Sequence, residues 1–183
     1  MIKNTVNSYG IVGVAIHWLM ALVIIGMFCL GLWMVDLDYY SEWYKTGPDI
    51  HRSIGVLVFL TMIFRLTWRL TNKHPKAEPN LKTWEIRSAT LVHVLLYILV
   101  ILIAISGYLL STADGRAVLV FNWFSVPASI TSIEDQANLS GKLHYLLAIS
   151  LMVLAGIHAL AALKHHFYDK DKTLVRMFGK SGS

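Results

Sequence analysis

The stretch 140-SGKLHYLLAISLMVLAGIHALAAL-163 decides how this chain is read: it is long and apolar, yet it carries two histidines, His144 and His158, fourteen residues apart. At ~100° and ~1.5 Å per residue, that interval returns to nearly the same face of an α-helix about 21 Å further along its axis. Histidine is costly inside a bilayer unless a partner holds it, so a matched pair on one face calls for two partners stacked at two depths. Two haems fill that role.

The rest of the chain has the same character. Of its 183 residues, 56% are hydrophobic and only 15% charged, which excludes an ordinary soluble domain. Three further segments, Ile11–Val35, His51–Leu70 and Ser88–Ser111, are long enough to span a bilayer, and nothing outside the four is large enough for a second core. The expected fold is all-α: a transmembrane four-helix bundle forming one membrane-embedded domain over residues 1–183, with the lipid bilayer around it. The single cysteine, Cys29, excludes a disulfide framework and an iron–sulfur cluster, and no c-type haem attachment motif is present. Any haem is therefore held through histidine or methionine. The N-terminus lacks the pattern of a removable signal peptide, so the first helix is expected to stay in the mature protein.

Charge sets the expected orientation. Lys73, Lys76, Lys82 and Arg87 precede the third segment against Glu78 and Glu85, and Lys164, Lys170, Lys172, Arg176 and Lys180 follow the fourth against Asp169 and Asp171. The other two connections are net acidic: Asp36, Asp38, Glu42 and Asp49 against Lys45 and Arg52, then Asp114, Glu134 and Asp135 against Arg116 and Lys142. The lysine and arginine bias puts both termini and the middle loop on the cytoplasmic side. The basic balance thus reports orientation and not a nucleic-acid partner.

The other helices repeat the fourteen-residue register. His17, beside Trp18 near the inner end of helix 1, is followed fourteen residues later by Gly31, where a flat macrocycle could approach the backbone. An interfacial histidine next to an aromatic-belt tryptophan would look the same if it stood alone. Thr46-Gly47-Pro48 reads as a turn into helix 2, which puts His51 at the outer end of that helix. Gly55 thins the same face, and Arg65 lies one register deeper. Arg65 has two readings: an arginine snorkelling from the inner end, or a cation for the propionates of an inner haem. Helix 3 carries His93 near its inner end and Gly107 fourteen residues later. The connection 112–139, with Phe121, Trp123 and Phe124, reads as lying along the outer interface. His165 and His166 are placed just beyond helix 4, and no chemistry is assigned to them.

Depth sorts these histidines. At the outer level only His51 and His144 are available; at the inner level His158 needs a partner, and His17 or His93 could supply it. An inner and an outer b-type haem, each with two imidazole ligands, would satisfy four buried histidines at once. Two axial imidazoles leave no open position at iron, which favours outer-sphere electron transfer over oxygen binding. With no GxGxxG stretch, no CxxC and no acidic cluster for a hard metal, flavin or nucleotide chemistry falls to another protein.

Several short motifs carry a family resemblance: Ala15-Ile16-His17-Trp18-Leu19, His51-Arg52-Ser53-Ile54-Gly55, Phe64-Arg65-Leu66, His93, Ile105-Ser106-Gly107, Leu143-His144, Gly156-Ile157-His158-Ala159 and Leu163-Lys164-His165-His166-Phe167. In this order and spacing the chain resembles, over nearly its whole length, the bacterial cytochrome b561 family. These are diheme four-helix membrane cytochromes related to the cytochrome b subunits of hydrogenases and formate dehydrogenases. The resemblance implies that His17 and His158 bind the inner haem and His51 and His144 the outer one, leaving His93 as a haem-edge or quinone-site neighbour. It also implies a bacterial inner-membrane protein that exchanges electrons with membrane quinone, such as ubiquinone, and with a periplasmic or small-molecule redox partner. Oxidation of superoxide coupled to quinone reduction is one activity of the group, although the acidic outer loops here would repel an anion. Two other functions fit the same residues: an electron-conduit anchor of a larger respiratory oxidoreductase, or a haem-free membrane protein whose histidines serve transport or packing.

Overall fold

The structure, a computed structural model, describes residues 1–6 and 8–179. Four long helices dominate it: α1 (Ile11–Val35), α2 (Trp43–Thr71), α3 (Thr83–Ser111) and α4 (Gln136–Phe167). All four are long and apolar enough to cross a membrane. A small antiparallel hairpin, β1 (Val118–Val120) and β2 (Phe124–Val126), sits between α3 and α4, and a single turn, α5 (Thr173–Arg176), follows α4. Large apolar side chains such as Leu22, Leu146 and Leu160 are exposed along the helices, which suits hydrocarbon and not water.

Helix 1 has the expected bounds, while the other three are longer than the apolar runs alone suggest. α2 starts at Trp43, so Thr46-Gly47-Pro48 lies inside the helix and is not a turn. Packing overrides the local signal here. A Cβ on Gly47 would come within 3.4 to 3.7 Å of Trp33, Met34 and Leu37, and the Trp33 and Trp43 rings meet at 6.0 Å, so α1 draws this segment into register. α3 starts at Thr83 and not at Ser88, because Glu85 reaches back to accept the Lys82 N–H at 2.9 Å and caps an extra turn. α4 runs on to Phe167, so His165 and His166 belong to its last turn. Lys180, part of the basic tail, lies outside the described residues.

The helices associate as two close pairs, α1 with α2 and α3 with α4. Between them lies a buried core of Met20, Met62, Val100 and Leu151. Its register matters: Leu151 is seven residues from both His144 and His158, and Val100 is seven from both His93 and Gly107. The apolar core therefore forms a layer midway between two levels of histidine.

One end of the bundle, termed inner, gathers the N-terminal segment, the residues that follow α4 and the α2–α3 connection. The Lys76 N–H donates to Val6 O at 2.8 Å, Trp18 Nε1 donates to Met177 O at 2.7 Å, and Arg176 donates to Lys76 O and pairs with Glu78 at 2.9 Å. The opposite, outer end carries the 36–42 connection and the hairpin.

Candidate functional site

At the outer end α2 delivers His51 and α4 delivers His144, with ring centres 6.2 Å apart and planes at 76°. The two line a cavity of about 770 Å³ walled by apolar side chains that include Met27, Phe28, Val58, Val100 and Leu151. The His144 ring has a defined tautomer: its Nδ1 lies 3.0 Å from Ile103 O, and a carbonyl only accepts, so Nδ1 carries the hydrogen. Ser106, almost fully buried, adds a 3.2 Å contact to the same nitrogen while its own hydroxyl donates to Ile103 O. The lone pair of His144 is thereby left on Nε2, the arrangement found in metal-binding histidines whose other nitrogen is held by a carbonyl.

The glycines at this level make room for the rings themselves. A Cβ on Gly107 would stand 3.0 Å from His144 Cε1, and one on Gly31 would stand 3.3 Å from His51 Cε1. Gly55 is looser, with only Met27 Cε at 3.8 Å, and lines the cavity. His51 Nδ1 is buried toward Gly31 of α1, with no hydrogen-bond partner among the described residues.

At the inner end α1 places His17 6.5 Å from His158 of α4, ring centre to ring centre, with planes at 83°. His93 of α3 is also present, 5.1 Å from His158. Arg65 reaches the same group: its Nη2 donates to His17 Nδ1 at 3.0 Å and its Nε donates to Tyr97 Oη at 3.1 Å. A guanidinium has donors only, so His17 Nδ1 is the acceptor in this contact. Arg69 also approaches Tyr97, its guanidinium carbon 5.8 Å from the ring centre, the same distance as that of Arg65.

Two imidazoles that bind one first-row metal ion from opposite sides have ring centres roughly 6 Å apart, given metal–nitrogen distances of ~2 Å and ~1 Å from nitrogen to ring centre. Both the His51–His144 and the His17–His158 pairs match that span, and His93–His158 falls short of it. With a roomy apolar cavity and the Nε2 lone pair of His144 free, the residues of the outer level fit a haem.

A profile of the prokaryotic cytochrome b561 family matches residues 8–180 of the chain. The chain belongs to that family. Cytochrome b561 homolog 2 of Escherichia coli (strain K12) is 47% identical over 98% of this chain and 96% of its own length. Probable superoxide oxidase CybB of Yersinia pestis is 31% identical over 95% and 97% of the two chains, and cytochrome b561 homolog 1 of Escherichia coli (strain K12) 30% identical over 75% and 77%. As a cytochrome b561, the protein is a multi-pass bacterial membrane protein of electron transport, and its family binds haem b.

Three residues near the sites have no role assigned from the sequence: Tyr97, and Ser53 and Ser106, which stand there only as members of motifs. Tyr97 had a usable signal, since it lies four residues after His93 on one helix face. His165, in the last turn of α4, also has partners. His165 Nδ1 lies 2.9 Å from carboxylate oxygens of Asp169 and Asp171, and Lys164 bridges Glu85 at 3.2 Å and Asp169 at 2.7 Å, an ion-paired corner apart from both histidine levels.

Proposed function

We propose that this cytochrome b561 carries electrons across the bacterial inner membrane through two bis-histidine b haems, with membrane quinone as one exchange partner. The observation that carries the reading is the pair of imidazole couples, 6.2 and 6.5 Å between ring centres, joining α4 to α2 at one level and to α1 at the other. Bound haem b supplies a one-electron iron couple whose potential the protein tunes through ligands, hydrogen bonds and burial.

The chain's own groups would do the following. His51 and His144 would hold the outer haem, and His17 and His158 the inner one. Ile103 O fixes the His144 ring and directs its Nε2 lone pair. Arg65 supplies a cation at the inner level, suited to haem carboxylates, with Tyr97 steadying it. His93, too close to His158 to share a metal across it, is placed as a neighbour of the inner haem or of a quinone head group. Met20, Met62, Val100 and Leu151 exclude water between the levels. Because α4 serves both pairs, the haems would also tie the α3–α4 pair to α1–α2. The positive-inside bias supports an orientation with both termini cytoplasmic.

The name of the Yersinia pestis relative raises superoxide as the electron donor. Here Arg52 and Arg116, which line a surface cleft between the start of α2 and the hairpin, are each paired with a carboxylate, Asp49 and Asp114, which weakens any steering of an anion. Superoxide is therefore left out of the proposal, and quinone enters it as what the family resemblance implies. The test is to purify the chain alone, count haem per polypeptide and follow haem reduction by a short-chain ubiquinol. Two haems reduced at a rate compatible with turnover support the reading. Two haems that ubiquinol leaves oxidised favour an electron-conduit subunit, and a protein with no reducible haem bands refutes it.

A further inference from the structure

We propose that Ser53 is a positioning residue for the outer site: it anchors the β1–β2 hairpin as the wall that keeps water from the His51–His144 cavity. This rests on the reading of a haem at that level.

Two three-residue strands do not hold together alone in water. This hairpin is further handicapped at its turn, closed by the Trp123 N–H to Val120 O bond of 2.8 Å, where Phe121 (φ 47°) and Asn122 (φ 59°) are both left-handed. Asparagine tolerates that region; a bulky phenylalanine is disfavoured there. Something outside the hairpin must therefore hold it in place. Ser53 of α2 does so with both functions of one hydroxyl: Oγ donates to Leu119 O at 3.2 Å and accepts the Phe121 N–H at 3.2 Å. The serine is 3% exposed, and Val118 and Val120 are buried beside it.

A second tie lies on α3. Tyr108 Oη donates to Pro127 O at 2.7 Å and accepts the Ser129 N–H at 2.8 Å, just beyond β2. The hairpin thus bridges α2 and α3, the two helices joined less closely than either pair. Its residues Val118, Phe124 and Val126 line the same cavity as His51 and His144. If α2 loses its hold on the hairpin, the cavity opens to water at the outer end. Ferric haem with two neutral imidazoles carries one more positive charge than ferrous haem, and water stabilises the more charged form, so a wetter outer site has a lower potential.

The experiment uses the full, haem-loaded chain with Ser53→Ala and Ser53→Thr, reading hydrogen–deuterium exchange over residues 118–126 and an optical redox titration. For Ser53→Ala, exchange in the hairpin rises several-fold, one of two redox components moves to lower potential and the other stays. Ser53→Thr, which keeps the hydroxyl, restores both readouts. Unchanged exchange overturns the anchoring; increased exchange with no shift, or with an equal shift of both components, overturns the positioning role. If Ser53→Ala does not accumulate, Ser53→Cys, which keeps the size but replaces the hydroxyl by a weakly hydrogen-bonding thiol, is judged by the same outcomes. A wild-type protein with one haem and one component refutes the two-haem reading instead, while the exchange measurement still decides the anchor.

Discussion

The outer and inner histidine pairs have nearly the same span, but what holds them differs. The outer pair is set in neutral groups: a backbone carbonyl and Ser106 on His144, glycine backbone against both rings, and an apolar cavity. The inner pair sits among cations and a spare histidine, with Arg65 on His17, Arg69 over Tyr97 and His93 beside His158. His144 has its Nε2 lone pair free as it stands. His17 presents the same lone pair only when Arg65 gives up Nδ1, because a ring nitrogen that accepts a hydrogen bond leaves the hydrogen on the other. One level is thus locked by packing and the other is governed by a movable charge.

The largest effects expected from this contrast come from the ligands. His51→Ala or His144→Ala should remove one haem equivalent and leave the inner component, and His17→Ala should remove the other, as read by haem per polypeptide. His93→Ala should keep both haems; loss of one would place His93, and not His17, opposite His158. Next comes Arg65→Met. Removing a cation disfavours the reduced, less positive state nearby, so the inner potential should fall while the outer one holds; an unmoved inner component would show that Arg65 faces away from the haem. Smaller still is Gly107→Ala, which forces a Cβ to 3.0 Å from His144 and should destabilise the outer site by about 1–3 kcal/mol in a denaturation series. Gly31→Ala should cost less, and Gly55→Ala, at 3.8 Å, close to nothing.

Much of this was legible from spacing. Helical periodicity placed His144 and His158 on one face and sorted the histidines by depth, and the apolar run of α1 was read to its bounds, Ile11 and Val35. Periodicity does not say which helices are neighbours or how each is rotated, so His17 and His93 stayed equivalent until the family resemblance separated them. The early start of α2 was hidden because Gly47-Pro48 carries a local turn signal that the fit of Gly47 against Trp33 outweighs. The early start of α3 carries only half a signal, because Glu85 stands three residues after Lys82 but lysine has no acceptor to complete the capping box. The Ser53–hairpin bond joins residues 66 to 68 positions apart, and the Arg65–Tyr97 bond residues 32 apart. Pairings of that kind depend on packing that no local pattern encodes.

The central claim is that two histidine pairs define two haem levels, and an optical redox titration of the purified wild-type chain beside His144→Ala and His17→Ala tests it most directly. The account predicts two haems and two components in the wild type, with each substitution removing one haem and a different component. A single component in the wild type, or the same component lost from both variants, would contradict it.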